Sequence, residues 1–460
     1  MSKQASKNTQ DVTDSSDSRN AKKERFTSSG FILAAIGSAV GLGNMWKFPY
    51  ITGKHGGAAF FLLFIICLIL VGLPILLAEM TIGRGGRGSA ASSFYNLTGK
   101  KYWSYFGLLS VITAFLIMSY YGVVAGWTLH YTVQSFTGGL FHQGNEFKTI
   151  FTSFISGYMP VVWQAVVMIV CGWVVAKGIS GGIEKFNKIL IPGFLIILLV
   201  LMIRSLTLPG AGAGVEFFLK PDFSKLDAES ALIALGHAFF SLSLGMGCML
   251  TYGSYVDKRQ SLGSATIAIG VGDMVYAFIA GLVIFPTVFS YGLEPGEGVG
   301  LTFMALPVAF SQMPLGTVFG GLFFLLLAIA ALTSAVSILE VPVAYAMNQW
   351  NWSRKKAAIL ISTLCFLLGI PAGLSVGGVL SSFHPGGKTL FDWFDFLTAY
   401  VFMPISGLVV TLFTGYAWKR AAAEAGLTGI WNKVWMFLLR MVVPILILLV
   451  FLYSVGIIKV

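Results

Sequence analysis

From Phe31 onward, apolar runs follow closely on one another, separated by short polar or glycine-rich gaps. A helix needs about 20 mostly apolar residues to cross the hydrocarbon of a bilayer. The pattern predicts helices near 29–50, 58–82, 105–136, 160–177, 186–206, 230–255, 262–291, 317–347, 357–378, 390–416 and 434–459. That makes eleven spans and an all-α polytopic membrane protein. Residues 1–28 break the pattern: they are rich in Ser, Asp and Lys and too poor in apolar side chains to order themselves. They contain no apolar stretch followed by a cleavage site, so no removable leader is expected.

Composition supports this reading. Of 460 residues 56% are hydrophobic and 11% charged, with a mean hydropathy of +0.81. Soluble domains carry about 25% charged residues, and at less than half that share the chain cannot clothe a soluble surface. The excess of 30 Lys and Arg over 19 Asp and Glu invites a nucleic-acid reading, which the distribution removes. Twenty-two basic residues fall on the side of the N-terminus in the predicted topology and eight on the other. Basic loops stay cytoplasmic, so the N-terminus is expected inside the cell and Val460 outside. Cys67, Cys171, Cys248 and Cys365 lie far apart in apolar runs, without metal spacing or a disulfide framework.

Three acids interrupt apolar runs: Glu79, Asp273 and Glu340. An ionisable group at membrane depth is costly and marks a functional candidate. The alternative, a protonated or helix-pairing carboxyl, stays open for Glu79 and Glu340. Two spans also carry small-residue runs: Gly37-Ser38-Ala39-Val40-Gly41-Leu42-Gly43-Asn44 in the first and Ser241-Leu242-Ser243-Leu244-Gly245-Met246-Gly247 in the sixth. Each glycine weakens a helix by about 1 kcal/mol, so breaks are predicted there. Opened backbone at membrane depth must be buried or line a cavity, where it offers carbonyls to cations and helix-end amides to anions. The breaks open residues 29–206 and residues 230–416 in corresponding places, as in inverted-repeat transporters with a site where the halves meet. Residues 434–460 would add the eleventh helix.

Six stretches resemble the neurotransmitter:sodium symporter family: Gly37–Pro49, Gly72–Arg84 (GLPILLAEMTIGR), Ser119–Trp127, Gly178–Lys188, Phe239–Tyr255 and Leu332–Glu340. The resemblance implies a 5+5 inverted repeat of the leucine-transporter type with helices 1 and 6 broken, and no enzymatic chemistry. It also implies two sodium sites and no organic cofactor. One site would use the Ala39 carbonyl, Asn44, Ser241 and Asp273, completed by the substrate carboxylate. The other would use the Gly37, Val40 and Ala330 carbonyls with Thr333 and Ser334. A small cage of oxygens suits a hard cation, although Thr333-Ser334 read alone fits ordinary bonding back to the helix.

The same resemblance places the substrate carboxylate at the Leu42 and Gly43 amides and the Tyr121 hydroxyl. The ammonium would meet the Ala39, Phe240 and Ser241 carbonyls, assisted by Ser243. Ile117, Phe240, Met246, Ser334 and Ile338 would line the side-chain pocket. That lining is apolar, and flexible Met246 favours aromatic contacts, so an aromatic or large aliphatic L-amino acid is expected. Where chloride-dependent members bind the anion, this chain has Phe64, His237 and Ala277, while Asp273 places a fixed carboxylate beside sodium. Chloride-independent transport is therefore expected, with proton uptake by Asp273 on the return step as a further hypothesis. The outer gate would pair Lys47 with Asp395, or with Asp392, alongside Tyr121 and Phe240. At the inner gate the family's aspartate falls at Asn348, opposite Lys22, Lys23 or Arg25. The expected partners are an amino acid, sodium and the bilayer, with no nucleic acid, in a bacterial plasma membrane. Rival readings are another small zwitterion or amine as cargo, a ligand-gated pore, or a sensor that binds an amino acid without moving it. Gly41, where amine carriers tend to place an aspartate, favours amino acids.

Overall fold

The computed structural model describes residues 25–141, 146–293 and 300–458. Among them nine helices are long and apolar enough to cross a membrane. These are α3 (Ala58–Gly86), α4 (Lys101–Phe136), α5 (Met159–Ala176), α6 (Ile179–Leu206), α9 (Leu262–Ser290), α10 (Gly316–Trp350), α11 (Arg354–Ser375), α12 (Leu390–Ala417) and α13 (Gly429–Ser454). A tenth span is the bent pair α1 (Ser28–Ala39) and α2 (Gly43–Lys54), whose axes differ by 43°. In the place of the expected sixth span stand α7 (Ala228–Ser241) and α8 (Cys248–Ser254), each too short to cross alone.

Among the described residues, then, nine helices are continuous and two spans are interrupted, the first and the sixth, where the glycine- and serine-rich runs predicted breaks. The predicted ends are corrected: α4 begins at Lys101, α6 at Ile179 and α13 at Gly429, while α13 stops at Ser454. Polar or amphipathic residues at these ends continue the backbone hydrogen bonding beyond the apolar run. Lys22, Lys23 and most of the polar tail lie outside the described residues.

Helices α4 and α10 form the centre of the bundle. Their apolar windows are 72% and 83% buried, against 28% for α6 and α13 at its rim. The broken helices pack beside this pair, so the opened backbone is screened from lipid, as the lack of water in hydrocarbon requires.

Candidate substrate and ion site

Helix α1 closes its last turn with Val40 N–H donating to the Ile36 carbonyl at 2.7 Å, and at Val40 ψ swings to 76°. The Ser38 carbonyl accepts from Ser243 Oγ at 2.9 Å and Ser334 Oγ at 3.3 Å, which ties the break to α10 and to the second break. Ser38 Oγ lies 2.7 Å from Ser337 Oγ. The second break spans residues 242–247, where Ser243, Gly245 and Gly247 adopt φ of 54°, 77° and 78°. A Cβ on Gly245 would also fall 2.5 Å from the Met403 carbonyl oxygen, so glycine is required by both conformation and space. The freed Gly245 N–H donates to Glu79 Oε1 at 2.7 Å. Glu79, fully buried on α3, is therefore a brace for opened backbone, a role in which a carboxylate satisfies an otherwise orphaned amide.

Next to the breaks, three elements bring Asn44, Ser241 and Asp273 together. Asn44 Nδ2 donates to Asp273 Oδ1 at 2.8 Å, and Ser241 Oγ lies 2.7 and 2.9 Å from the two Asp273 carboxylate oxygens and 3.0 Å from Asn44 Oδ1. All three are buried. Asn44 Oδ1, Ser241 Oγ and the carboxylate form an oxygen-rich cluster with a formal charge of about −1 when Asp273 is ionised, suited to one hard monovalent cation. The second group is less joined. Ser334 reaches α1 through the Ser38 carbonyl, while Thr333 Oγ1 donates within α10 to Ile329 at 3.0 Å and Ala330 at 3.1 Å. This is the back-bonding that Thr333 read alone suggested. Gly37 packs on Asn187 of α6, so close that a Cβ would lie 2.1 Å from Asn187 Oδ1.

A cavity of about 10 Å³ lies between the breaks, lined by Ala39, Leu42, Gly43, Ile117, Tyr121, Phe240, Ser243, Met246, Ser334 and Ile338. These are ten of the eleven residues expected around a substrate. Ser241 is not in the wall; its side chain faces the Asp273 cluster. Gly41, which the sequence marked as bearing on the choice of cargo, and Ser38, which was not expected, complete the wall. A Cβ on Gly41 would lie 3.1 Å from Ser334 and 3.4 Å from the Tyr121 hydroxyl, narrowing an already small cavity. The Tyr121 hydroxyl is buried there beside Leu42 and Ser334 with no well-formed hydrogen bond of its own. A void of this size holds about one water, so any larger ligand requires the walls to move.

Above it, a second cavity of about 280 Å³ is lined by Leu42, Trp46, Lys47, Tyr50, Tyr120, Tyr121, Phe240, Phe391, Asp395 and Tyr400 among others. Leu42, Tyr121 and Phe240 border both cavities and so form the partition between them. Lys47 and Asp395 face the upper cavity without closing to an ion pair. Lys47 Nζ sits 4.8 Å from the Phe240 ring centre and 6.0 Å from that of Tyr400, and Asp395 accepts from the Tyr120 hydroxyl at 3.2 Å. Tyr120 was not anticipated; only its place in the Ser119–Trp127 stretch hinted at it. Asp392, the fallback gate partner, instead caps its own helix with Thr389. At the expected chloride position His237 packs 5.2 Å from Phe64 and 5.7 Å from Phe48, with Ala277 also buried.

At the opposite end Glu340 is not a lone acid. Its Oε2 lies 2.8 Å from Arg354 Nη1, and its Oε1 accepts from the Tyr255 hydroxyl at 2.7 Å. In the sequence Arg354 is marked only as one of the twenty-two basic residues on the side of the N-terminus. Arg25 pairs with Asp257 at 3.6 Å rather than with residue 348.

Three comparisons bear on this arrangement. The sodium:neurotransmitter symporter family model matches residues 23–151 and 146–459. The chain is 40% identical over 440 residues to the uncharacterized sodium-dependent transporter YhdH of Bacillus subtilis, covering 94% of this chain and 97% of that one. An uncharacterized sodium-dependent transporter of Haemophilus influenzae is 36% identical, covering 92% and 95%. Among solved structures, MhsT in complex with L-phenylalanine matches with a TM-score of 0.87 and 48% identity, covering 94% of this chain and 99% of that chain. Matched along nearly its whole length, with two broken helices meeting around a buried polar cluster, the chain belongs to the sodium:neurotransmitter symporter family.

Proposed function

We propose that this protein uses inward sodium flow to import a hydrophobic L-amino acid, aromatic or large aliphatic, across a bacterial plasma membrane, with the N-terminus cytoplasmic. As a secondary transporter it moves cargo without covalent chemistry. The observation that carries the reading is the small cavity where both helix breaks, the Tyr121 hydroxyl and an apolar wall of Ile117, Phe240, Met246 and Ile338 meet, beside the Asn44–Ser241–Asp273 cluster. Freed amides at Leu42 and Gly43 and Tyr121 would receive the carboxylate, and freed carbonyls the ammonium. The aromatic ligand named for MhsT supports the size class.

One sodium would enter the Asp273 cluster, with the Ala39 carbonyl and the substrate carboxylate completing its shell. A second would take the Gly37, Val40 and Ala330 carbonyls, Thr333 and Ser334, after Thr333 turns from its own helix. Each charge crossing about 100 mV supplies about 2.3 kcal/mol. Residues 29–206 and 230–416 act as the two repeats, and rocking about their broken helices alternates access. With Phe64, His237 and Ala277 at the anion position, Asp273 supplies the negative charge, so chloride is not required.

Uptake of each common L-amino acid into proteoliposomes, with and without an inward sodium gradient, tests this reading. Sodium-driven accumulation of a hydrophobic subset, unchanged when gluconate replaces chloride, is expected. Sodium-dependent binding without accumulation would make the protein a sensor, and loss of uptake in gluconate would remove the chloride argument. Asp273→Asn is expected to abolish pH dependence of uptake; an unchanged pH profile would exclude Asp273 as the proton carrier.

A further inference from the structure

A groove of about 730 Å³ runs along the outer face of the bundle between α5 and α11, away from the cavities at the helix breaks. Its floor is made of small residues: Gly172 meets Ser362 so closely that a Cβ would lie 2.9 Å from Ser362 Oγ. The two helices are pinned to each other on both sides of it. Gln164 Nε2 donates to the Phe366 carbonyl at 3.3 Å, and Arg354 Nη1 to the Val175 carbonyl at 3.4 Å. The depression is therefore set by fixed helix spacing rather than by a loop. Ile169, Trp173 and Ile359 rise at its edges, 70%, 59% and 62% exposed, and α5 and α11 both belong to the membrane-spanning set.

One end differs from the rest. Lys177 and Lys355 line it, Lys177 Nζ lies over the Trp173 ring at 3.3 Å from its centre, and no carboxylate is among the lining residues. This is the end that carries Arg354 and its buried partner Glu340. An apolar trough in hydrocarbon must be filled by something apolar, and two ammonium groups at its polar end favour an anion at headgroup depth.

We infer that this groove is a site for one anionic phospholipid of the leaflet on the basic side, its phosphate between Lys177 and Lys355 and one acyl chain laid over Gly172 and Ser362. A phosphate without an acyl chain lacks the trough contacts, and a zwitterionic lipid brings a choline that the lysines repel.

Native mass spectrometry of the full chain, titrated in detergent with phosphatidylglycerol or with phosphatidylcholine of the same chains, tests the inference. The first phosphatidylglycerol is expected to bind about tenfold or more tightly than phosphatidylcholine. The pair Lys177→Gln and Lys355→Gln is expected to erase that preference while leaving thermal stability and sodium-driven uptake intact. Thr363→Trp, which fills the trough and leaves both lysines, is expected to weaken both lipids. Equal binding of the two lipids, an unchanged preference in the double variant, or glycerol phosphate competing as well as the lipid would each overturn the proposal. So would efficient disulfide cross-linking of Ile169→Cys between two copies in phosphatidylglycerol bilayers, which would make the groove a subunit interface.

Discussion

The two ends of the molecule are held by different chemistry. At the basic end, buried or partly buried side chains interlock, some within one helix and some between residues far apart in sequence. Arg354 meets Glu340 at 2.8 Å, Arg84 Nε meets Glu424 at 2.8 Å, and Glu184 receives Thr27 N–H at 2.9 Å and Lys188 Nζ at 2.6 Å. Phe26 packs 5.1 Å from Tyr252, so the start of α1 is fixed on both flanks. At the other end Lys47 and Asp395 share a cavity of about 280 Å³ but touch aromatic rings and a tyrosine hydroxyl rather than each other. A guanidinium presents a planar fork that grips a carboxylate at several points, whereas an ammonium is a strongly hydrated point charge. The fork holds the basic end; the lysine leaves the far end ready to admit a ligand.

The largest test of this contrast is Arg354→Ala. It strips buried Glu340 of this countercharge, and breaking one partner of a buried pair costs about 3–5 kcal/mol. Thermal unfolding in detergent is expected to fall sharply and sodium-driven uptake to be lost. Replacing both partners, Arg354→Met with Glu340→Gln, is expected to recover most of the stability. If the single variant melts like the wild type, the ion pair is not what braces this end.

Gly30→Ala probes the same end more gently. A Cβ there would lie 2.2 to 2.5 Å from the end of the Glu184 side chain, so the carboxylate must leave Thr27 or α1 must shift from α6. Overpacking of this kind costs about 1–3 kcal/mol. The expected result is greater labelling, by a membrane-impermeant thiol reagent, of a cysteine placed at Ser28 on the basic side. Labelling equal to that of the Gly30 background would separate the latch from access.

How much of this contrast was legible in the sequence follows from the range of the interactions. The helix breaks were legible because glycine and serine act on their own backbone, and ten of the cavity-lining residues followed from them and from the family stretches. Glu79 and Glu340 were visible as misplaced charges, but their partners were not. The Gly245 amide is 166 residues from Glu79, and Arg354 is separated from Glu340 by the turn between α10 and α11. No local pattern encodes such pairings. Ser241 carries two expectations on different atoms, its carbonyl toward a substrate and its hydroxyl toward an ion, and the hydroxyl does turn to the Asp273 carboxylate. Thr333 shows the reverse: its local reading was the one the helix adopts, and the cation role needs a rotation.

The smallest expected effect sharpens the far end. Lys47→Arg keeps the charge and lengthens its reach toward Asp395, whose Oδ1 already holds the Tyr120 hydroxyl. A partly exposed pair contributes about 0–1 kcal/mol, so thermal stability should barely move. Gating is more sensitive, because the same small energy is a few-fold change in the ratio of open to closed states. Uptake is therefore expected to slow a few-fold at saturating substrate while the half-saturating concentration falls, as release and entry past Tyr121 and Phe240 both become slower. The Asp395→Asn companion should reverse that gain, because the guanidinium then has no carboxylate to grip. If Lys47→Arg behaves like the wild type and Asp395→Asn does not, then Asp395 acts through Tyr120, and the far end is gated by the tyrosine rather than by the lysine.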